Sequence, residues 1–565
     1  MDDLASEVMA ARPWIGEYPP GVPADVDLVA YQSMGDFLVK TAERFGGRVA
    51  YTQLGVEISY KTFDEYSARL AAYFQRDLGL RAGDRIALMM PNVIAYPIAL
   101  FAALRAGLVV VNVNPLYTAP ELVNLIADSS PRAIVVLETF AATLEKALRS
   151  QRVETVIVAR VAEFQPFPRS LIVDWVVRRR KKLVPPWTIP GAVKFADALR
   201  RRSPEAFNAP PATHESVAFL QYTGGTTGKP KGVILTHGAV LADVLILAAW
   251  TAPIARPGAE TTIIALPLYH VAALVCHSMV ALHYGMKSVL VINPRDIPAL
   301  VKDFENHKPS MFIGLNTLFN ALVNNEAFRR LDFTGLRLTT AGGTATLAAV
   351  ADRWHEVTGR PIFEAYGLSE TAGAVTANPV TRTRFDGSIG VPLPCVSVEI
   401  RGENGAVVAA GTPGEICVKG PTLMRGYFNQ PDETAKVLGA DGFFATGDIG
   451  VIDARGVIKI VDRKKDMVLV SGFNVYPTEI EDVLARHPGI SEVAVVGVKD
   501  ARTGEAPVAC VVRRDPALAE AAIIAYAREN LAPYKTPRRV IFYETLPKTP
   551  VGKVLRRELR DELTP

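Results

Sequence analysis

Residues 221–232 read QYTGGTTGKPKG: four glycines (Gly224, Gly225, Gly228, Gly232), three threonines (Thr223, Thr226, Thr227) and two lysines (Lys229, Lys231) in one short stretch. Glycine lets a backbone approach an anion closely, and successive N–H groups can form a concave anion site. Hydroxyls add neutral donors and lysines add charge. The composition points to a phosphate cradle. It is not the G-x-x-x-x-G-K-[ST] loop that opens a helix, because Lys229 is followed by Pro230 and then by the β-branched, apolar run GVILTH. The residues before the glycines, VAFLQY, are equally strand-like. Strand, glycine loop, strand is the expected local order.

The loop sits in a chain of 565 residues, long enough for roughly three or four structural units. With 49% hydrophobic and 21% charged residues, the chain can bury a large core, and disorder is not expected. A net charge of +4 is too weak for this length to argue for a nucleic-acid partner. Cys276, Cys395, Cys417 and Cys510 are far apart and no C-x-x-C occurs. Neither a disulfide framework nor a zinc site is expected, and a reducing, cytoplasmic compartment fits. The opening MDDLASEVMAARPW is acidic and lacks a long apolar core, so no signal peptide is predicted. The most apolar early run, residues 86–113, is broken by Pro91, Asn92, Pro97 and Arg105. A membrane span needs about 20 uninterrupted apolar residues, so buried core is expected there.

Along the chain, residues 1–30 carry prolines at 13, 19, 20 and 23 and predict an extended arm. Residues 36–45 read as a helix, residues 50–59 as a hairpin turning at Gly55, and residues 62–78 as a helix with Thr62 as its cap. Apolar runs then alternate with helical patterns, which argues for parallel sheets covered by helices, an α/β fold. Residues 263–274, IIALPLYHVAAL, predict a strand delivering Tyr269 and His270 to its end. The turn Ala341-Gly342-Gly343-Thr344 follows a strand, where α/β sheets hold ligands. FEAYGLSETAG, residues 363–373, repeats that pattern and sets Tyr366 beside a glycine and Glu370. Beyond Gly387 short alternating strands and turns predict a compact β subdomain. A break falls at DRKKD, residues 462–466, and the last hundred residues have the size of a separate α+β domain. Residues 169–187, RSLIVDWVVRRRKKLVPPW, run from Arg169 to Trp187 and join Leu171, Ile172, Trp175 and Val176 to the basic run Arg178, Arg179, Arg180, Lys181 and Lys182. A basic amphipathic segment with Trp is a candidate for an anionic membrane surface. An ordinary packed helix beside a solvated charge run is the other reading.

YTGGTTGKPKG, YGLSET, ATGDIG, VDRKKDMVLVSGFNVYPTEIE and PKTPVGK occur in one order across essentially the whole chain. In these motifs the chain resembles the adenylate-forming superfamily: acyl- and aryl-CoA synthetases, peptide-synthetase adenylation domains and firefly luciferase. TGGTTG, ALPLYH, GLNTLFNAL and DRKKDMVLVSGFNVYPTEIEDV are most similar to bacterial long-chain fatty acid–CoA ligases. The resemblance implies an N-terminal AMP-binding domain over residues 1–462, its β-rich part from about 388 to 462, a hinge at 463–466 and a small mobile C-terminal domain over 467–565. It implies two half-reactions. A carboxylate attacks the α-phosphate of Mg-ATP, giving acyl-adenylate and pyrophosphate, and the CoA thiol then attacks the adenylate, giving thioester and AMP.

Implied roles follow motif by motif. Thr223, Gly224, Gly225, Thr226, Thr227, Gly228 and Lys231 would hold the β- and γ-phosphates. Gly342, Gly343 and Thr344, with Tyr366, Gly367 and Ser369, would line the nucleotide, Tyr366 stacking on adenine. Glu370, with Thr226, would hold Mg²⁺, since hard cations prefer oxygen. Asp448 would accept the ribose hydroxyls, with Arg463 beside it. Lys553 would bridge carboxylate and α-phosphate oxygens, because a step joining two anions needs charge neutralisation and positioning above all. Lys465 occupies the hinge position, about which the small domain would rotate to withdraw Lys553 and present Ser471, Gly472 and Phe473 to CoA. His270 would shape the carboxylate and CoA tunnel. Val271, Ala272, Ala273, Leu274, Gly314 and Ala341 would suit an alkyl chain; Leu274 stands where some long-chain relatives carry a gating tryptophan.

Three alternatives stay open at this level: a medium-chain or aryl-acid CoA ligase, a fatty acyl-AMP ligase handing its product to a carrier protein, and a nucleotide-binding, membrane-docked scaffold without activity. ATP, Mg²⁺ and CoA are the implied cofactors and co-substrates, and a fatty acid the substrate. A homodimer is a candidate assembly, and the inner face of the cell membrane a candidate peripheral location through residues 169–187.

Overall fold

The glycine stretch lies between two strands. In the computed structural model, which describes residues 12–223, 230–471, 473–500, 502–549 and 553–563, strand Val217–Thr223 pairs antiparallel with strand Lys231–Thr236, Gln221 opposite Val233 and Thr223 opposite Lys231. After the second strand a helix begins, His237–Thr251, where the Thr236 side chain accepts from the Ala239 N–H at 3.1 Å. Gly224, Gly225, Thr226, Thr227 and Gly228 lie outside the described residues.

That hairpin belongs to an eight-stranded sheet whose interior strands Val109–Asn112, Arg85–Met89, Ala133–Leu137 and Thr155–Ala159 run parallel. A nine-stranded sheet stands beside it, with parallel strands Lys287–Leu290, Thr261–Ile264, Met311–Gly314, Leu338–Gly342 and Phe363–Leu368 at its centre. Both are α/β sheets, buried on both faces as parallel strands require. The apolar run 86–113 divides into strand Arg85–Met89, helix Ala95–Arg105 and strand Val109–Asn112. Every residue of that helix except Arg105 is buried, because it is wrapped by protein on all sides. No helix among the described residues is long and apolar enough to cross a membrane.

Two local expectations are corrected. The second long helix runs Tyr60–Arg76, and its cap is Ser59, whose Oγ accepts from the Thr62 N–H at 3.1 Å. The sequence SYKT offers two hydroxyls three residues apart, and Ser59, still extended, has the geometry a cap needs. The N-terminal arm is anchored where the structure describes it. Pro13–Glu17 forms a 3₁₀ turn, Trp14 is buried against Gly456, and Tyr18 meets Trp250 edge to face at 5.0 Å.

A four-stranded antiparallel sheet, Ser397–Arg401, Gly414–Lys419, Phe444–Ile452 and Ile458–Arg463, forms the β-rich part. The chain then passes into a five-stranded sheet built on the long hairpin Ile490–Asp500 and Gly504–Arg513, with helices Pro477–Leu484 and Glu520–Asn530. Val468, Val475, Ile480, Val495, Ala509 and Ile523 give this small domain its own core. A large α/β portion with a β-rich part, followed by a small α+β domain, is the architecture the sequence predicts.

Candidate active site

The site lies where the strands Leu338–Gly342 and Phe363–Leu368 end, pairing Gly342 with Ala365. Gly343 takes φ +81°, which glycine adopts without strain. A Cβ on Gly367 would come within 1.7 Å of the Gly373 carbonyl, so only glycine fits there. Thr346 N–H donates to Glu364 Oε1 at 2.9 Å, tying the loop that carries Thr344 back to the neighbouring strand. Burial pushes the Glu364 carboxyl up to about 7.

Tyr366 is buried and its hydroxyl donates to Asp448 Oδ2 at 2.7 Å. Asp448 Oδ1 lies 3.2 Å from Arg463 Nε, and the two residues stand opposite each other in adjacent strands of the β-rich sheet. Burial, then the Asp448 charge, raises the Tyr366 phenol well above its ordinary range, so it is a neutral donor. Glu370 occupies the 3₁₀ turn Ser369–Thr371. Thr371 Oγ1 holds that turn by accepting from Leu368 N–H at 2.9 Å and donating to the Gly373 carbonyl at 2.7 Å. Glu370 Oε1 accepts from the Tyr427 hydroxyl at 2.9 Å. Lys231 Nζ lies 4.8 Å above the same tyrosine ring and 2.6 Å from Glu433 Oε2. The Lys231 and Glu370 segments therefore converge, joined through Tyr427 and Glu433, neither of which the sequence motifs singled out.

His270 lies beyond the end of strand Thr261–Ile264 and not on it, so the expected delivery by a strand end is corrected to delivery by a braced loop. Asn92 Nδ2 donates to the Ile264 and Leu266 carbonyls at 2.9 and 2.8 Å, and Asn92 Oδ1 accepts from Leu268 N–H at 2.8 Å. Gln221 Nε2 donates to the Tyr269 carbonyl at 2.7 Å, and Gln221 Oε1 accepts from Asn112 at 2.9 Å. These buried amides connect the glycine-loop strand to the His270 segment. In the sequence, Asn92 only interrupted an apolar run; a buried polar side chain must find partners, which is the signal that could have marked it. Burial, reinforced by the Lys553 charge, lowers the His270 imidazole to about 4, so it is neutral at pH 7.

Lys553 comes from the far end of the chain. A Cβ on Gly343 would stand 3.9 Å from Lys553 Cε. Thr549 Oγ1 accepts from Lys553 N–H at 3.0 Å, and Thr549 N–H donates to the Lys553 carbonyl at 2.7 Å. Burial, then the Arg463 charge, lowers its ammonium to about 8. Lys465 lies in the turn between strands Ile458–Arg463 and Val468–Val470. Ser471 follows with φ +51°, and Phe473 is exposed and stacked on Tyr534 at 4.9 Å; Gly472 lies outside the described residues. Lys553, Gly343, Tyr366, Asp448 and Arg463 are thus gathered around one point, while Ser471 and Phe473 are exposed. Val271 and Leu274 pack in one core cluster, Ala341 in another and Ala273 in a third, and Gly314 is backed by Phe312 and Phe319. Residues 272–279 form a π-helix, in which Ala272 is half-buried.

Known proteins share this chain's pattern. The AMP-binding enzyme family matches residues 38–428 and its C-terminal domain matches residues 479–553. The chain is 45% identical to a long-chain-fatty-acid–CoA ligase of Salmonella typhimurium over 549 residues, 97% of this chain and 98% of that one. The fold matches the anthranilate CoA ligase AuaEII, solved with anthranoyl-AMP, at TM-score 0.83 and 23% identity, over 94% of this chain and 97% of that one. MatB from Rhodopseudomonas palustris is 29% identical over 94% of this chain and 98% of its own. It superposes at TM-score 0.79 with ATP bound and 0.71 without it.

Proposed function

The chain belongs to the AMP-binding enzyme family, and from that premise we propose that it is an AMP-forming ligase joining a long-chain fatty acid to coenzyme A. The observation that carries this reading is the meeting of Lys553 with the Gly343 turn and the Tyr366–Asp448–Arg463 group, in a chain so similar along its whole length to curated long-chain ligases.

In the first half-reaction the fatty carboxylate oxygen attacks the α-phosphorus of ATP and pyrophosphate leaves. Both reactants are anions, and a fatty acid is already ionised near pH 7, so no base is required. Lys553 supplies a charge in a partly desolvated place, where it is worth more than in water. Asp448 and Arg463 address the ribose, and Tyr366 presents its ring to adenine. Lys231 and the glycine loop hold the departing phosphates, for which Lys231 exchanges its Glu433 partner. His270, neutral beside the Lys553 cation, shapes the carboxylate pocket without adding repulsion. In the second half-reaction the CoA thiol attacks the acyl carbonyl and AMP leaves. We assign the hinge to Lys465 and CoA guidance to the Ser471–Phe473 hairpin. The superposition on MatB, better with ATP bound than without, supports reading the present arrangement as the adenylating one.

The Glu370 carboxylate, carried on the Ser369–Thr371 turn and held by the Tyr427 hydroxyl, is the hard oxygen donor that suits Mg²⁺. Among the described residues no group of three or more His, Cys, Asp or Glu could hold a metal, and Mg²⁺ is commonly held by one or two carboxylates together with substrate phosphates. Glu370 would hold it, and the ion would neutralise phosphate charge.

The expected result is AMP release matched to CoA consumption, in a series from acetate to octadecanoate with benzoate as the aryl control. Specificity should rise with chain length by up to about four-fold per methylene buried. Preference for benzoate or a short acid would overturn the long-chain assignment, and adenylate release unaffected by CoA would favour the carrier-protein alternative.

Residues 169–187 serve, on this reading, as a peripheral contact with anionic lipid, the phase into which long-chain acids partition. Helix Arg169–Trp175 buries none of its residues, and Phe167, Leu171, Ile172, Trp175 and Leu183 are 80, 59, 60, 59 and 51% exposed. Arg178 is occupied by the buried Glu138 carboxylate, so the outward charge is carried by Arg179, Arg180, Lys181 and Lys182. Each basic group near an anionic surface contributes about 1 kcal/mol. Leu171 and Trp175 changed to Ser, or Arg179–Lys182 reversed to Glu, should abolish flotation with phosphatidylglycerol-containing vesicles while soluble activity persists. Equal flotation of all forms would remove this surface from the proposal.

A further inference from the structure

Around Lys465, apart from the turn's own Asp466 and Met467 N–H bonds to the Arg463 carbonyl at 2.9 and 3.1 Å, the contacts of the flanking residues Lys464 and Asp466 sort by side. Before it, Lys464 N–H donates to the Gly447 carbonyl at 3.0 Å and Lys464 Nζ meets Glu415 Oε2 at 3.0 Å, both within the large domain. After it, Asp466 Oδ1 lies 3.1 Å from Arg560 and Asp466 Oδ2 lies 3.6 Å from Arg556, both within the small domain. Asp462 departs from this sorting. It precedes Lys465 on strand Ile458–Arg463, yet Oδ2 accepts from Thr478 N–H at 2.9 Å and Oδ1 lies 3.5 Å from Arg556 Nη1. Thr478 sits in the first turn of helix Pro477–Leu484, where a carboxylate is favoured by the unpaired N–H groups and the helix dipole. Asp462 is 2% exposed, so these bonds are shielded from water and salt.

Arg556 stands three residues beyond Lys553 and is itself held by Glu481 Oε2 at 2.6 Å. The path from Asp462 through Arg556 to Lys553 is therefore short. A rotation about Lys465 carries Thr478, Glu481 and Arg556 together and leaves Asp462 behind. Glu481–Arg556 and Asp466–Arg556 can survive such a motion, whereas both Asp462 contacts must break.

We propose that Asp462 is a positioning residue for Lys553: it latches the small domain, through Arg556 and Thr478, in the arrangement that adenylates, and its release accompanies the passage to thioester formation. The inference rests on the hinge reading above. It involves no contact between Asp462 and substrate.

The test measures the two half-reactions separately, as pyrophosphate exchange into ATP and as thioester formation from supplied acyl-adenylate and CoA. Asp462→Asn should slow exchange about ten-fold, the size of one lost charge-assisted hydrogen bond, and leave thioester formation from supplied adenylate unchanged or faster. Glu481→Gln, whose contact with Arg556 does not cross Lys465, should leave the ratio of the two rates unaltered. Equal loss of both half-reactions in Asp462→Asn, no change in either, or the same split in Glu481→Gln would each overturn the latch. Asp462→Ser takes the place of Asp462→Asn if the latter fails to fold. Lys465→Pro, measured in parallel, separates the two ideas. If it does not split the half-reactions the hinge assignment fails, and if it splits them while Asp462→Asn does not, only the latch fails.

Discussion

Lys553→Ala is expected to lower adenylation about 10²–10³-fold, the usual cost of removing one preorganised charge from a transition state, while thioester formation from supplied acyl-adenylate persists. The asymmetry follows from geometry. Lys553 stands beside Gly343 in the arrangement read above as the adenylating one and has no proposed task once the adenylate exists. A folding defect would lower both half-reactions, so their ratio separates the two causes. The same residue sets a pH dependence. Its ammonium titrates near 8 because burial and the Arg463 charge oppose protonation. Below that pH the charge is present, and as pH rises through it the charge is lost. Adenylation measured as kcat/KM should therefore decline on the alkaline side with a midpoint near 8, since that quantity reports the free enzyme's groups. In Lys553→Arg the residual adenylation should lose this alkaline decline, because a guanidinium stays charged. An unchanged decline would assign it to another group.

Lys465→Pro should act in the opposite sense. Proline fixes φ and removes the backbone N–H, at about 3 kcal/mol where the chain must adopt another conformation. The turn between Arg463 and Val468 has to change its dihedrals if the small domain rotates there. Because the present arrangement is read as the adenylating one, the second half-reaction should slow by up to about 10²-fold and adenylation much less. Unchanged thioester formation from supplied acyl-adenylate would show that the pivot lies elsewhere.

The α/β class, the β-rich part and the small terminal domain were legible in the chain because each rests on local pattern. Parallel strands buried on both faces read as continuous apolar runs, such as AIVVL at Ala133–Leu137, and the β-rich part as short strands with glycine turns. The boundaries were less legible. Two hydroxyls in SYKT compete for one cap, and only the backbone conformation at Ser59 decides between them. The amphipathic face of residues 169–187 was visible as periodicity, but periodicity does not say whether an apolar face is covered, and here it is not.

The site divides in the same way. By itself the sequence determined that the glycine stretch is flanked by two strands, because β-branched apolar runs are properties of the linear chain, and its resemblance to the adenylate-forming superfamily implied the candidates Lys553, Glu370, Asp448 and Arg463. Only the tertiary structure decided what meets what. It brings Lys553 beside a turn more than two hundred residues earlier, seats Lys231 on Glu433 and Tyr427, braces the His270 loop with Asn92 and Gln221, and sets Asp462 against Arg556 of the small domain. The physical reason is that pairing and desolvation depend on distance through space. A lysine in the tail and an aspartate before a turn acquire their roles from the groups the fold sets against them.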